Sequence, residues 1–121
     1  MLGAMKAHHG KLVRDRIPGM LAERGIPHEI RVADRTELPA LLHAKLEEEA
    51  AECLAATNDA ARIEELADML EVILGLGRFY GADRDALERA RAQKAIERGA
   101  FEARIVLISA GTDDENVGPN G

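Results

Sequence analysis

The stretch KLEEEAAECLAATNDAARIEELADML, residues 45–70, decides the fold. Its first half continues a pattern that starts upstream. Leu38, Leu41, Leu42, Leu46, Ala50, Cys53 and Leu54 recur at steps of three and four, the period of an amphipathic helix. Thr36 reads as the N-cap and Pro39 falls in the tolerant first turn, so this helix is expected from about 36 to 56. Thr57-Asn58-Asp59 is turn and capping chemistry, and it opens a second helix over about 60–80. A connection this short makes the two helices pack antiparallel. The second helix is apolar nearly all round, from Ile63 and Leu66 through Met69, Leu70, Val72, Ile73 and Leu74 to Leu76 and Phe79. Such a helix is buried on most sides. A chain of 121 residues can hardly wrap it alone. A homo-oligomer, dimer or tetramer, is therefore expected.

Working outward, Pro18 after Asp15 starts a short helix over roughly 17–24, closed by Gly25. Residues 29–33 alternate and read as a short strand, with residues 104–108 (Arg-Ile-Val-Leu-Ile) as its partner. Gly81 ends the second long helix, Asp83 caps a third over 84–98, and Gly99 stops it. Gly75 and Gly77 mark either a close helix contact or a kink. Residues 1–10 read as a flexible leader, 11–108 as one helical domain and 109–121 as a disordered tail. The fold class is all-α, with two short peripheral strands.

Composition limits the function. Hydrophobic residues are 46% and charged residues 31% of the chain, the profile of a soluble globular protein. Only three residues are aromatic, which favours helix-on-helix packing. The lone Cys53 excludes an internal disulfide and a cysteine zinc cluster, and its neighbours make it plain core. No stretch is long enough for a membrane span, and the start lacks the apolar centre of a signal peptide, so a cytoplasmic protein is expected. The net charge of −6 argues against nucleic acid as the main partner. That charge is unevenly spread. Residues 36–75 hold ten Asp/Glu against two Lys/Arg, while residues 1–35 hold seven Lys/Arg against four Asp/Glu.

The acidic centre has a pattern. Glu49 and Glu52 stand at i and i+3, as do Glu65 and Asp68, so each pair shares a helix face; Glu48 and Glu52 are neighbours at i and i+4. Glu52 precedes the turn by about as much as Glu65 follows it, so the two pairs sit at similar heights on facing helices. Carboxylates converging in this way repel one another, and more strongly once desolvated. A hard cation removes the conflict. All-oxygen ligation suits Mg²⁺ or Mn²⁺, and the Glu-x-x-His motif of di-iron bundles is missing. Solvated Glu-rich helix faces are the alternative, and they describe Glu47 well.

Glu48-Glu49-x-x-Glu52, twelve residues, then Glu65-x-x-Asp68 resembles the signature of the MazG-like all-α nucleotide pyrophosphohydrolase superfamily. Its flanks, Lys45-Leu46 and the run Glu64 to Ile73, agree. Residues Lys11 to Pro18 and Lys94-x-x-Glu97-Arg98-Gly99-x-Phe101-x-x-Arg104-Ile105 are similar to a branch labelled phosphoribosyl-ATP pyrophosphohydrolase-like. The likeness covers about residues 11–108. It implies hydrolysis of a nucleoside-triphosphate-like substrate to a monophosphate and pyrophosphate, with Mg²⁺ held by Glu49, Glu52, Glu65 and Asp68. Glu48 is then a further ligand or orients the attacking water, and Glu48 and Glu49 are the catalytic pair. Lys11, Arg14, Arg16, Lys45, Lys94 and Arg98 are candidates to meet the phosphates; each could equally be a solvated charge, and Arg14 or Arg16 could pair with Asp15. Phe101 could stack on a base or anchor the core. A house-cleaning enzyme is the expected role, since histidine-pathway phosphoribosyl-ATP enzymes lack the Lys11–Pro18 type of start. Phosphoribosyl-ATP hydrolysis is the second enzyme reading. A non-catalytic helical dimerisation module is the rival from another class.

Overall fold

A computed structural model describes residues 10–112. The leader and tail expected over 1–10 and 109–121 lie outside the described residues, apart from Gly10 and residues 109–112. Four helices and no strand occur among the described residues: α1 Ile17–Glu23, α2 Leu38–Ala55, α3 Asp59–Phe79 and α4 Arg84–Arg98. The chain divides into two compact units, Met1–Ala82 and Asp83–Gly121. No described helix is long and apolar enough to cross a membrane.

The first unit is built on the α2–α3 hairpin. Asn58 caps α3, its side chain accepting from the Ala61 N–H. Arg62 locks the turn, donating from Nη2 to the Ala56 carbonyl at 2.7 Å while Nη1 reaches Asp59 at 3.2 Å. The Cys53 thiol contributes a weak contact to the Arg62 carbonyl at 3.9 Å. α3 stays helical through both glycines. Gly75 serves close approach: a Cβ placed there would sit 3.5 Å from Leu42 Cδ2. That contact marks the register, which the short turn fixes. Seven residues beyond Leu42 is Glu49, and seven before Gly75 is Asp68, so the two stand level on antiparallel helices. By the same register Glu52 meets the level of Glu65, and Leu38 that of Phe79.

Helix ends follow turn chemistry. α1 and α3 both close with a glycine at positive φ, Gly25 and Gly81, followed by a residue whose N–H reaches back five positions, Ile26 to Leu21 and Ala82 to Gly77. The starts of α1 and α2 depart from expectation. Asp15 and Thr36 do not cap. The N-cap positions are Arg16 and Glu37, both in helical backbone geometry and neither making a side-chain cap bond. A turn over Asp34–Glu37 leads into α2, and the Glu37 carboxylate is taken by Arg31 at 2.6 Å and by the Asp34 N–H.

The expected strands at 29–33 and 104–108 do not form. Ile30, Val32 and Ile105 to Ile108 are all exposed. A two-stranded ladder with no apolar face beneath it gains too little to hold its hydrogen bonds. Burial is thin throughout the described residues, with Leu42 and Val72 the only apolar residues counted as buried. α3 departs from expectation here too. Ile63, Leu66 and Leu70, which share a face, are 65%, 53% and 49% exposed.

The second unit holds α4, capped by Asp83 onto the Ala86 N–H and ended by Gly99 at φ 84°. The amphipathic α4 has no buried residue.

Candidate metal centre

The hairpin register brings the acidic residues together. Carboxylate oxygens of Glu48, Glu49 and Glu52 lie within 4.8 Å of one another, and so do those of Glu49, Glu65 and Asp68. Glu49 belongs to both groups and stands between them. It is also the most buried charged residue described, at 5% exposure. Its Oε2 and the Oε2 of Glu65 are both buried with no hydrogen-bond partner. As two carboxylates they have nothing to donate to each other. Once protonated, Glu65 can donate to Glu49, and that bond, with burial and the nearby Glu52, pushes its pKa up to about 7.

Cations border the cluster. Lys45, one turn before Glu49, places Nζ 3.2 Å from Glu48 Oε2 and 3.4 Å from Glu49 Oε1. The segment before α1 crosses the same region. Lys11 Nζ is 3.1 Å from Glu48 Oε2, and Arg14 Nη2 is 2.6 Å from Asp68 Oδ1. Partial burial works against the charged form of Glu48, but hydrogen bonds from Lys11 and Lys45 outweigh it and its pKa is lowered. Arg14 therefore pairs with Asp68 rather than with Asp15. Arg16 has no ion pair among the described residues; with Arg14, Lys45, Glu49 and Asp68 it lines a cavity of about 390 Å³.

Comparison with protein-family models, curated proteins and solved structures finds no match to this chain.

Of the residues singled out from sequence, the structure brings together Glu48, Glu49, Glu52, Glu65 and Asp68, with Lys11, Arg14, Arg16 and Lys45 around them. Lys94, Arg98 and Phe101 belong to the second unit. Lys94 and Arg98 are exposed on α4. Phe101, 88% exposed, is not the core anchor that was its alternative role. Glu47 and Glu64 are exposed and belong to neither carboxylate group. The sequence reading missed Arg78. It lies 3.7 Å from Glu71 and lines the cavity. Its spacing carried the signal, because Asp68, Glu71, Gly75 and Arg78 follow the three- and four-residue steps of one helix face.

Proposed function

We propose that this chain is a divalent-cation-dependent nucleotide pyrophosphohydrolase that takes an NTP-like substrate to a nucleoside monophosphate and pyrophosphate in a house-cleaning role. One observation carries the reading: a nearly fully buried Glu49 with an unpartnered buried oxygen, grouped within 4.8 Å with Glu65, which has another, and with Asp68. Lys45 answers only the other oxygen of Glu49, and leaving a buried carboxylate oxygen without a donor is costly. The donor set is all oxygen, which fits Mg²⁺, with Mn²⁺ as a substitute. Glu49, Glu52, Glu65 and Asp68 would hold the ion. Bound there, it would neutralise phosphate charge and lower the pKa of a coordinated water.

The chain's own residues supply the rest. Glu48, kept ionised by Lys11 and Lys45, can accept a hydrogen bond from the attacking water and orient it. Water adds to the α-phosphorus and gives up its proton to Glu48, the bond to the bridging oxygen breaks, and pyrophosphate leaves. Lys11, Arg14, Arg16 and Lys45 are placed to meet phosphate oxygens, and Arg14 would exchange Asp68 for them when the ion takes that carboxylate. The exposed stripe Ile63, Leu66 and Leu70 is assigned to a second copy of the chain, in a homodimer or homotetramer. A helical dimerisation module accounts for that stripe but gives Glu49 no reason to be buried.

The test is pyrophosphate release from a panel of ordinary and modified nucleoside triphosphates with Mg²⁺. Release that is abolished by Glu49→Gln and by Asp68→Asn, with helicity unchanged, supports the reading. No release from any substrate, with no Mg²⁺-induced thermal shift, overturns it.

A further inference from the structure

The carboxylates fall into two groups that share Glu49. One runs along α2 with Glu48 and Glu52, and the other crosses the hairpin to Glu65 and Asp68. In each group the oxygens lie within 4.8 Å of one another, so distance alone would let each hold an ion. The partners already present set the two apart. On the α2 side, Lys45 Nζ stands 3.2 Å from Glu48 Oε2 and 3.4 Å from Glu49 Oε1, and Lys11 Nζ is 3.1 Å from the same Glu48 oxygen. Across the hairpin, Glu49 Oε2 and Glu65 Oε2 are buried with no partner among the described residues. Glu49 is thus divided: one oxygen pairs with a lysine of its own helix, and the other has nothing.

Asp68 has Arg14 at 2.6 Å, but the two cations differ in how firmly they are held. The Arg14 side chain is 55% exposed and precedes α1, outside any helix, so it can leave at small cost. The Lys45 side chain is 18% exposed and is fixed by α2 one turn before Glu49. Charge points the same way. Glu48, Glu49, Glu52, Glu65 and Asp68 carry five negative charges when ionised, against three positive charges on Lys11, Arg14 and Lys45. One divalent ion balances the remainder, and a second overshoots it.

We propose that the Lys45 ammonium is a built-in cation in the place a second ion would take between Glu48 and Glu49, so that the substrate-free chain holds one divalent ion, on the Glu65–Asp68 side of Glu49. This deepens the proposed function and rests on it for the ion. Two ions bridged by one carboxylate stand about 3.5–4 Å apart. A second ion on the Glu48 side would therefore meet the ammonium at contact distance, where like charges repel strongly. Glu52, which also lies near Glu65, stays available to the single ion. An ammonium has three N–H donors. Two are used on Glu48 and Glu49, and the third remains for a phosphate oxygen of the bound nucleotide. The centre then meets phosphate with one exchangeable cation and one tethered cation.

The experiment counts Mn²⁺ bound per chain on the full, substrate-free protein by EPR of the free ion, with Glu49→Gln as the baseline for weak surface binding. The parent should bind one ion above that baseline. Lys45→Met, which keeps most of the stem and removes the charge, should bind two, and Lys45→Arg should return the count to one. Helicity is read beside each count. Lys45→Gln replaces Lys45→Met if the latter fails to fold, and the parent's count tests the proposal by itself. Two ions on the parent or on Lys45→Arg, or a single ion on the folded charge-free variant, overturns the inference and leaves the metal centre standing. No ion on the parent or on any variant overturns the inference and the metal-dependent reading together. One ion on the parent and two on Lys45→Met supports the inference even where no nucleotide releases pyrophosphate, an outcome that removes the hydrolase alone.

Discussion

Glu49 and Glu65 stand on facing helices with one carboxylate oxygen each buried and unanswered by any donor. On the proposed function a bound cation would answer both oxygens. Mg²⁺ should therefore raise Tm, and Glu49→Gln should lose most of that rise. In the metal-free protein the same substitution should raise Tm by about 3–6 °C, because giving the unpartnered oxygen's position a donor amide, while Lys45 keeps its pair with Glu48, is worth on the order of 1 kcal/mol. Thermal melts with and without Mg²⁺ check both. A Glu49→Gln chain that melts lower than the parent in chelator would contradict this account.

Glu65 gives a pH dependence. Its pKa, raised by the Glu49 hydrogen bond and by burial to about 7, exceeds its ordinary 4.5. Between those values the folded chain keeps a proton that the unfolded chain has released. Rising pH in that window therefore favours unfolding, and the metal-free protein should be more stable near pH 5 than near pH 7.5. Glu65→Gln should flatten the slope. Denaturant titrations at a series of pH values in chelator measure it. For the same reason Mg²⁺ should bind more tightly at pH 7.5 than at pH 5, where the ion displaces a proton.

Lys11 and Arg14 tie the segment before α1 to Glu48 and Asp68 through partly exposed pairs. Such pairs contribute little to folding, so Lys11→Ala and Arg14→Ala should each change stability by less than about 1 kcal/mol. On the proposed function their effect is larger on substrate. Arg14→Ala should raise KM by roughly tenfold, with kcat much less affected. Steady-state kinetics beside a melt separates the two. Unchanged KM would remove Arg14 from the phosphate contacts.

The stripe Ile63, Leu66 and Leu70 predicts self-association. Leu66→Glu or Leu70→Glu should shift the chain to a monomer in analytical ultracentrifugation, and Tm of the parent should rise with concentration. A parent that sediments as a monomer at tens of micromolar would sink the assignment of this stripe to a second copy.

Leu42 and Gly75 predict opposite signs at one contact. Leu42→Ala removes one of the two apolar side chains buried among the described residues and should cost about 2–5 kcal/mol. Gly75→Ala introduces a Cβ at an ordinary 3.5 Å from Leu42 and replaces a poor helix former. It should stabilise by up to about 1 kcal/mol. Chemical denaturation of the two variants is the measurement.

The helices were legible because their signals are local. Asn58, Asp83, Gly81 and Gly99 act on backbone groups a few residues away, and the structure uses each as its chemistry suggests. The approach of Glu49 to Glu65 and Asp68 across the hairpin, and to Glu48 and Glu52 along its own helix, was legible too, since a short turn fixes the register. What the sequence concealed depends on choices between competing partners. Thr36 lost its role because Glu37, held by Arg31 and the Asp34 N–H, brings the chain into α2 through a turn. The strands failed because alternation says what a strand would bury but not whether anything lies beneath it. Arg14 could have paired with its neighbour Asp15, and only the fold placed Asp68 nearer.

The three residues between α2 and α3 have a kinetic consequence. Every carboxylate of the cluster lies within Glu48–Asp68, so the cluster assembles by closing one short loop. Contacts this close in sequence form early, on the timescale of a helical hairpin rather than of a whole domain. Like charges brought together at that stage slow the closure. A divalent cation present during folding would then act as a nucleation partner, and the chain should refold faster in Mg²⁺ than in chelator.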